Sequence, residues 1–531
     1  MKTFIGPVVD RTQYTFFKDT LEDSIPKDHP VRVLDWVLAQ MDWSEWIARY
    51  PGGGRPAYPP DAMAKLLVYG YMIGMRSSRI LEHACYNSMD FMWLMSGRKP
   101  DHDTIASFRR ENAERFIDVF KATVAVCREA GLVAMDGVAV DGTRVEANNG
   151  KDGTMKQGDI EKELARLEER IRKIVGEAEA KDREDDALFG EGVSPNKLPE
   201  ELKDAEKRRE RLEKALEKVI GKNKRASARL GKKSKGVNNS RVPVVDVDSD
   251  VMKNKMGGFA PNYNPYVAVD GLSGIIVSCG VTNQHTDAGH LKPAIEEAEE
   301  NTGMSVTQVL ADSTYATVEN LDYCEARGID PCIAPLYGSP DKKASRRELP
   351  EGVPQTAVRA DGEEIEVGKI LRNNMGKFDK LEFTYEPEAD RYICPLGHSL
   401  KKVGRTKSGM SEGTRNRYRC GDCGECPVRA VCTTNRKGRE VRRWWVDEVR
   451  VRHHKRMKDP KHKADYRHRK QVVEPAIGTI KQAMGVRKFL LRRLPFVEGE
   501  WDITCAAFNI KKVGRWAQRI GLHGLNAIVS A

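Results

Sequence analysis

Asp141, Asp312 and Glu474 are the residues whose type and placement would do chemistry as a set. Asp141 ends the apolar run Val138-Ala-Val-Asp-Gly-Thr143, and Asp312 follows the apolar run Val306 to Ala311. Glu474 lies in a later segment of helical pattern. Carboxylates are hard oxygen ligands suited to Mg2+ or Mn2+. Two such ions, about 3.5–4 Å apart, can activate an attacking oxygen and stabilise a leaving one in a displacement at phosphorus. A strand-end aspartate alone is weak evidence, because aspartate also opens turns. Asp136, Asp246, Asp248, Asp250 and Asp270 lie on or beside candidate strands too, and pattern alone leaves them in competition.

The neighbours of Glu474 set it apart. In Tyr466-Arg-His-Arg-Lys-Gln-Val-Val-Glu-Pro-Ala-Ile-Gly-Thr-Ile-Lys481, helical spacing puts Tyr466, Lys470 and Glu474 at i, i+4 and i+8. Lys481, seven residues beyond Glu474, shares that helix face. An acid flanked by cations and a phenol has little use in a core, whereas a metal-bound phosphate needs such a grip. Pro475 lacks an amide hydrogen and disfavours helix at the preceding residue, so a kink or a helix restarting at Pro475 is expected.

Elements must hold these residues. Tyr266 to Thr282 contains two β-branched runs around Asp270-Gly-Leu-Ser-Gly274, a hairpin signal. A helix from about Asp287 to Asn301 precedes the strand ending before Asp312, and the Glu474 helix comes last. Strand, hairpin, helix, strand, helix, with acids at two strand ends and on a helix, is the layout of an α/β, ribonuclease-H-like catalytic core.

Upstream, residues 20–130 read as helical. Asp61 to Met75 is apolar on most sides, which predicts a buried helix, and Pro59 and Pro60 sit where proline is tolerated at its start. Further helices are expected from Arg76-Ser-Ser-Arg-Ile80 and from Asp103 to Arg110, the latter capped by Asp103 or Thr104. With Arg76, Arg79, Arg109 and Arg110 near helix starts or exposed faces, these helices suit either a helix-turn-helix-like DNA reader or an ordinary bundle.

Two segments interrupt the core. Ile160, Leu164, Leu167, Ile171 and Ile174, then Ala205, Arg209, Leu212, Leu216 and Val219, repeat a 4-3-4-3 spacing that predicts an antiparallel coiled-coil hairpin over 158–221. The second insertion, 336–450, holds Cys394-Pro-Leu-Gly-His398 and Cys420-x2-Cys423-x2-Cys426-x5-Cys432. This paired spacing suits either a tetrahedral Zn2+ site, which would close a small domain too polar to fold on its own core, or a reduced, metal-free cysteine-rich loop. The expected division is a helical N-terminal domain (1–130), a catalytic core (131–335 and 451–531, carrying the 158–221 hairpin) and the cysteine-rich basic insertion (336–450).

Composition bounds the rest. The 531 residues carry a formal net charge of +11. Arg436 to Lys470 holds 15 Lys and Arg against 5 Asp and Glu, including Arg442 and Arg443, and Lys222 to Arg241 holds eight basic residues and no acid. Such runs are either solvated surface or an electrostatic footprint for nucleic acid. No apolar run approaches the roughly 18 residues of a membrane helix, and the first residues do not resemble a signal peptide, so the cytoplasm is the expected compartment. Cys85, Cys127, Cys279, Cys324, Cys332 and Cys505 are isolated and read as buried small residues.

The chain resembles the DDE transposases of bacterial insertion sequences, in particular the group usually numbered eleven-eighty-two. Ile25-Pro-Lys-Asp-His-Pro-Val-Arg32 and Gly54-Arg-Pro-Ala-Tyr-Pro-Pro60 are similar to the N-terminal domain of InsH-type transposases. Val140-Asp-Gly-Thr-Arg-Val-Glu-Ala-Asn148, Leu310-Ala-Asp-Ser-Thr-Tyr315, Val473-Glu-Pro475 and Arg487-Lys-Phe-Leu-Leu-Arg-Arg493 continue the likeness nearly end to end.

The resemblance implies that Asp141, Asp312 and Glu474 are catalytic and hold two Mg2+ or Mn2+ ions. It implies that Tyr466, Arg469 and Lys481 position transposon-end phosphates. The Arg-to-Glu spacing is one residue longer than the wider group's signature, so Lys470 is an alternative to Arg469. Cys394, Cys423, Cys426 and Cys432 fit the resembling zinc pattern best, with Cys420 and His398 as alternates. DNA contacts are expected from these residues together with Arg442, Arg443, Arg76 and Arg79, with the N-terminal domain binding DNA. The implied function is binding of terminal inverted repeats, then metal-dependent cleavage and strand transfer of double-stranded DNA by a homodimer or larger assembly at the nucleoid. A nuclease of the same fold without strand transfer, and a non-catalytic DNA-binding regulator, are the rival readings.

Overall fold

Five runs of alternating or fully buried β-branched residues pair into the sheet that carries Asp141. In the computed structural model these are β1 (Val138–Gly142), β2 (Phe259–Asp270), β3 (Ile276–Thr282), β4 (Gln308–Ala311) and β5 (Asp330–Ile333). The structure describes residues 20–50, 56–150, 153–189, 200–230, 238–254, 257–335, 348–373, 375–407, 414–443 and 446–529. Across the sheet the order is β3, β2, β1, β4, β5, and the short strands Val145–Glu146 and Asp250–Lys253 pair with the outer length of β2. β2 runs antiparallel to β1 and β3, whereas β4 runs parallel to β1 and to β5. The hairpin and the Asp312 strand thus form as expected, and β5 is an additional strand that sequence pattern did not resolve, because Asp330-Pro-Cys-Ile333 is short and contains proline.

The hairpin turn gives one of the competing acids a structural task. Asp270 is fully buried, and its carboxylate accepts the amides of Ala134, Met135, Leu272 and Ser273. Asp246 and Asp248 hold the Arg493 and Leu494 amides at the start of the last helix, and Asp250 pairs with Lys222 and His285. Each has a structural task of its own.

Helices cover the sheet. The Leu494–Val529 helix packs on β3, on the Phe116–Glu129 helix and on the buried Pro60–Ile73 helix, and Pro460–Gln482 lies against β1, β2, β4 and β5. One continuous hydrophobic core therefore runs from Ile25 through the N-terminal helices and the sheet to Ala517. The third expected N-terminal helix spans His102–Glu111, and its cap is Asp101, which accepts the Thr104 amide at 2.7 Å, two residues earlier than the sequence suggested. Arg109 is buried rather than exposed and donates to the Arg76 carbonyl.

Gln157–Phe189 and Glu200–Leu230 are two long helices packed on each other through Ile160, Leu167, Ala205, Leu212, Ala215 and Val219. Gln157 meets Asn223, and Arg170 meets Glu201, so they run in opposite directions. Ile174 does not join this core, and Arg209 turns outward to Glu213. Part of the second basic run, residues 231–237, lies outside the described residues.

The cysteine-rich segment differs from expectation in one respect. Among the described residues it builds a five-stranded antiparallel sheet (Thr384–Glu386, Arg391–Ile393, Ser399–Lys407, Thr414–Cys420, Glu440–Arg443) over a core of its own, which includes Val367, Phe378, Phe383, Leu400, Tyr418 and Val441. It is not too polar to form a core, because the apolar residues alternate with the basic ones along the strands. No described helix is long and apolar enough to cross a membrane.

Candidate active site

Asp141 and Asp312 meet because β1 and β4 are adjacent and parallel. The register pairs Val138 with Val309 and Ala139 with Leu310, and the same offset brings Asp312 level with Asp141. Asp312 lies just past β4, where its carboxylate takes the Thr314 amide at 2.8 Å and the Thr314 hydroxyl. Glu474 approaches from the Pro460–Gln482 helix, which runs unbroken through Pro475; the expected restart at Pro475 is absent.

Arg469, on that helix, links the acids. Its Nη1 donates to Asp141 Oδ2 at 3.1 Å, and its Nη2 lies 3.9 Å from Glu474 Oε1. The guanidinium is nearly buried, whereas Lys470 next to it is exposed. Arg469, not Lys470, is the cation aimed at the acids. Tyr466 lies one turn earlier, its ring centroid 5.9 Å from the Arg469 guanidinium carbon. Burial pushes the Asp141 carboxyl above its usual range, Arg469 opposes the shift, and the Asp312 charge adds to it. Lys481 donates to the Arg144 carbonyl at 2.7 Å and so braces the loop that follows Asp141.

A layer behind the acids was not visible in the sequence. Asp287 accepts the Asn264 amide at 2.5 Å and lies 3.5 Å from Arg144 Nη1. Gly142 leaves room for it, since a Cβ there would stand 2.8 Å from Asp287 Oδ1. Tyr315 is fully buried, with the charges of Asp287, Asp141 and Asp312 around it. Its hydroxyl, Thr143 Oγ1, Asn264 Oδ1 and Arg469 Nε are buried without a partner among the described residues. Asp287 reads in sequence as an ordinary helix-start acid, and Tyr315 as a core aromatic; only the sheet brings them behind Asp141.

Of the remaining expected contacts, Arg79 is exposed and Arg442 is exposed with Glu440 nearby. Arg443 pairs with Glu448 and lies over the Tyr385 ring at 3.9 Å. Arg76 is taken up within the protein, donating to the carbonyls of Lys488 and Gly485 and lying 3.6 Å from buried Glu500. In the cysteine-rich segment, Cys394, His398, Cys420, Cys423, Cys426 and Cys432 line one small cavity. The backbone N–H of His398 reaches Cys394 Sγ at 3.3 Å, and that of Arg439 reaches Cys423 Sγ at 3.3 Å.

Two families match the chain: "Transposase domain (DUF772)" over residues 19–111 and "Transposase DDE domain" over residues 393–514. The matches indicate an insertion-sequence DDE transposase. A transposase binds DNA, and a DDE domain suggests an enzyme that cuts it. Glu474, Arg469, Tyr466 and the cysteine cluster fall within the DDE match, while Asp141 and Asp312 lie between the two matched regions. No curated protein and no solved structure matches the chain.

Proposed function

We propose that this transposase cuts and joins DNA at the ends of its own insertion sequence, using Asp141, Asp312 and Glu474 on a ribonuclease-H-like core. The observation that carries the reading is that two aspartates stand level on adjacent parallel strands while Arg469 links one of them to Glu474. The strand order β3-β2-β1-β4-β5, with only β2 antiparallel to its neighbours, supports the fold assignment. The motifs from Ile25-Pro-Lys-Asp-His-Pro-Val-Arg32 to Arg487-Lys-Phe-Leu-Leu-Arg-Arg493 support the narrower eleven-eighty-two group.

Three oxygen-donor acids beside orphaned buried polar atoms form a site that suits hard divalent cations. Mg2+ or Mn2+ held by Asp141, Asp312 and Glu474 would supply the charge that activates an attacking oxygen and steadies a leaving one. The chain's own residues do the rest. Arg469 keeps Asp141 and Glu474 at a common centre, and Tyr466, Arg469 and Lys470 face the phosphates of a transposon end. Lys481 holds the loop after Asp141 in place. Water attacks phosphorus at the transposon end, the P–O3′ bond breaks, and a 3′-hydroxyl is freed. That hydroxyl attacks a phosphorus of target DNA, forming a new phosphodiester and releasing a target 3′-hydroxyl. No covalent protein–DNA intermediate is needed.

Arg79, Arg442 and Arg443 extend the DNA contact, the N-terminal helices and the basic segment hold the ends, and joining two ends calls for a dimer or larger assembly. Arg76 serves instead as an intramolecular brace. The clustered sulfurs that receive backbone N–H groups support a structural Zn2+ held by Cys394, Cys423, Cys426 and Cys432.

The test is a strand-transfer assay with transposon-end DNA and a target plasmid. Asp141→Ala, Asp312→Ala and Glu474→Ala should each abolish Mg2+-dependent cleavage and joining while end binding persists. Hydrolysis without joined product would support the nuclease reading instead, and unchanged behaviour of all three variants the regulator.

A further inference from the structure

We propose that Asp330, Cys332 and His462 form a second transition-metal site, of the zinc class, that clamps the Glu474 helix to the edge of the sheet. Asp330 and Cys332 are two apart on β5 and so share a face. His462 lies in the first turn of the Pro460–Gln482 helix. The Nε2 of His462 lies 3.1 Å from Asp330 Oδ2, and Cys332 Sγ lies 3.8 Å from that same oxygen. All three ligand atoms are within 4.8 Å of one another. Ligands bound about 2.0–2.3 Å from a tetrahedral ion stand roughly 3.3–3.8 Å apart, close to the two separations from Asp330 Oδ2.

The surroundings include the carboxylate partner that a metal-bound imidazole takes. His462 Nδ1 is 2.9 Å from Asp459 Oδ2, the carboxylate–histidine arrangement that fixes the tautomer of a ligating imidazole. With Nδ1–H donated to Asp459, the Nε2 lone pair is directed at the Asp330 carboxylate, the place an ion would occupy. Arg456 stands on the other side, 3.6 Å from Oδ1. Gln308 donates to both Asp330 Oδ2 and Asp465 Oδ2 and so holds the Asp330 carboxylate in place. A thiolate, an imidazole and a carboxylate select a borderline ion such as Zn2+ over Mg2+.

The site is separate from the proposed catalytic centre. Gln308 and Asp330 begin β4 and β5, whereas Asp312 follows the far end of β4. Glu474 is twelve residues beyond His462, about 18 Å along a helix. The ion would tie the first turn of this helix to β5 and so fix the register at which Arg469 and Glu474 present themselves. Binding of the ion does not depend on the transposase reading, and the test below reads metal rather than DNA chemistry.

The full-length protein, stripped by chelator and titrated with Zn2+ against a competing chromophoric chelator, should bind one tight equivalent more than Asp330→Asn and His462→Gln do. Both residues are partly exposed and their substitutions should fold. Cys423→Ser with Cys426→Ser should retain that equivalent, which separates it from the cysteine cluster. Asp459→Asn keeps the helix cap and should weaken binding at this site about 10–100-fold. Equal zinc content in wild type, D330N and H462Q overturns the proposal and leaves the cluster as an ion-pair network.

Discussion

Arg469 and Asp141 are 328 residues apart in sequence, yet Nη1 lies 3.1 Å from Oδ2, on a guanidinium nearly closed off from solvent. The pair joins the first strand of the sheet to the Glu474 helix. Arg469→Ala should cut strand cleavage by about 10²–10³-fold, the usual effect of deleting one preorganised charge donor. Arg469→Lys should recover only part of this, since an ammonium cannot span Asp141 and Glu474 with a planar fork. Cleavage rates at saturating Mg2+, with end-binding affinity measured alongside, check it; an unimpaired alanine variant would remove Arg469 from the mechanism.

Gly142 is the next point of leverage. A methyl group there meets half-buried Asp287 at Oδ1, 2.8 Å away, and fully buried Asn264 at Oδ1, 3.3 Å away. Gly142→Ala should cost about 1–3 kcal/mol by overpacking and reduce cleavage by tilting Asp141. Adding Asp287→Ala should recover stability but not activity, because Arg144 then loses its carboxylate. Urea unfolding and cleavage of the single and double variants separate the two effects.

Arg76 gives a case where sequence and structure assign different roles. Its side chain reaches Glu500, a fully buried carboxylate that also accepts the Tyr71 hydroxyl at 2.7 Å and the Leu490 and Leu491 amides. Arg76→Ala leaves that charge less compensated and should destabilise the fold by about 3–5 kcal/mol. Arg79→Ala, at an exposed position, should instead lower DNA affinity and the salt slope with the melting temperature unchanged. Thermal melts and salt-dependent binding read the two side by side.

The parts of the fold that announced themselves were local and periodic: the buried Pro60–Ile73 helix, the Asp270 hairpin and the long helical pair. The acids Asp141 and Asp312 were visible as strand ends, but their partnership depends on β1 and β4 lying side by side, which no short-range pattern encodes. Likewise helical spacing put Lys470 on the face of Glu474, whereas packing against β1 turned Arg469 inward and left Lys470 in solvent. Asp287, Tyr315 and Asp330 acquire meaning only from neighbours more than a hundred residues away, or across the sheet.

His290 offers a pH handle near the layer behind Asp141. Its ring is buried, stacks on Tyr266 at 4.8 Å and shares a 2.9 Å hydrogen bond with Thr282, facing Asp287 and Arg144. Burial lowers its pKa to about 4; Asp287 opposes the shift and Arg144 adds to it. An unfolded histidine takes its proton near pH 6.5, so between about 6.5 and 4 the unfolded chain binds a proton that the folded chain refuses. Stability from this group is complete above about pH 6.5 and declines as pH falls towards 4. The melting temperature of His290→Gln should therefore fall less steeply over that window than that of wild type; parallel curves would show that His290 does not carry the effect.

Removing metal from the cysteine cluster should loosen the segment without unfolding it. The sheet from Thr384 to Arg443 has a core that includes Phe378, Phe383, Tyr392 and Tyr418, so apolar burial remains when sulfur ligands are lost. The sulfurs themselves would then be buried thiols: burial first, and the neighbouring sulfurs after it, push Cys432 and Cys420 each up to about 12. A bound cation favours the thiolates instead, and the N–H groups of His398 and Arg439 already point at two of them. Cys423→Ser with Cys426→Ser, or chelation, should raise hydrogen exchange from Cys394 to Leu396 and from Cys420 to Cys432, while the strands around Leu400 and Val441 keep most of their protection. Uniform loss of protection across the segment would mean that the core is insufficient without the ion, and no change at all would mean that the cluster holds none.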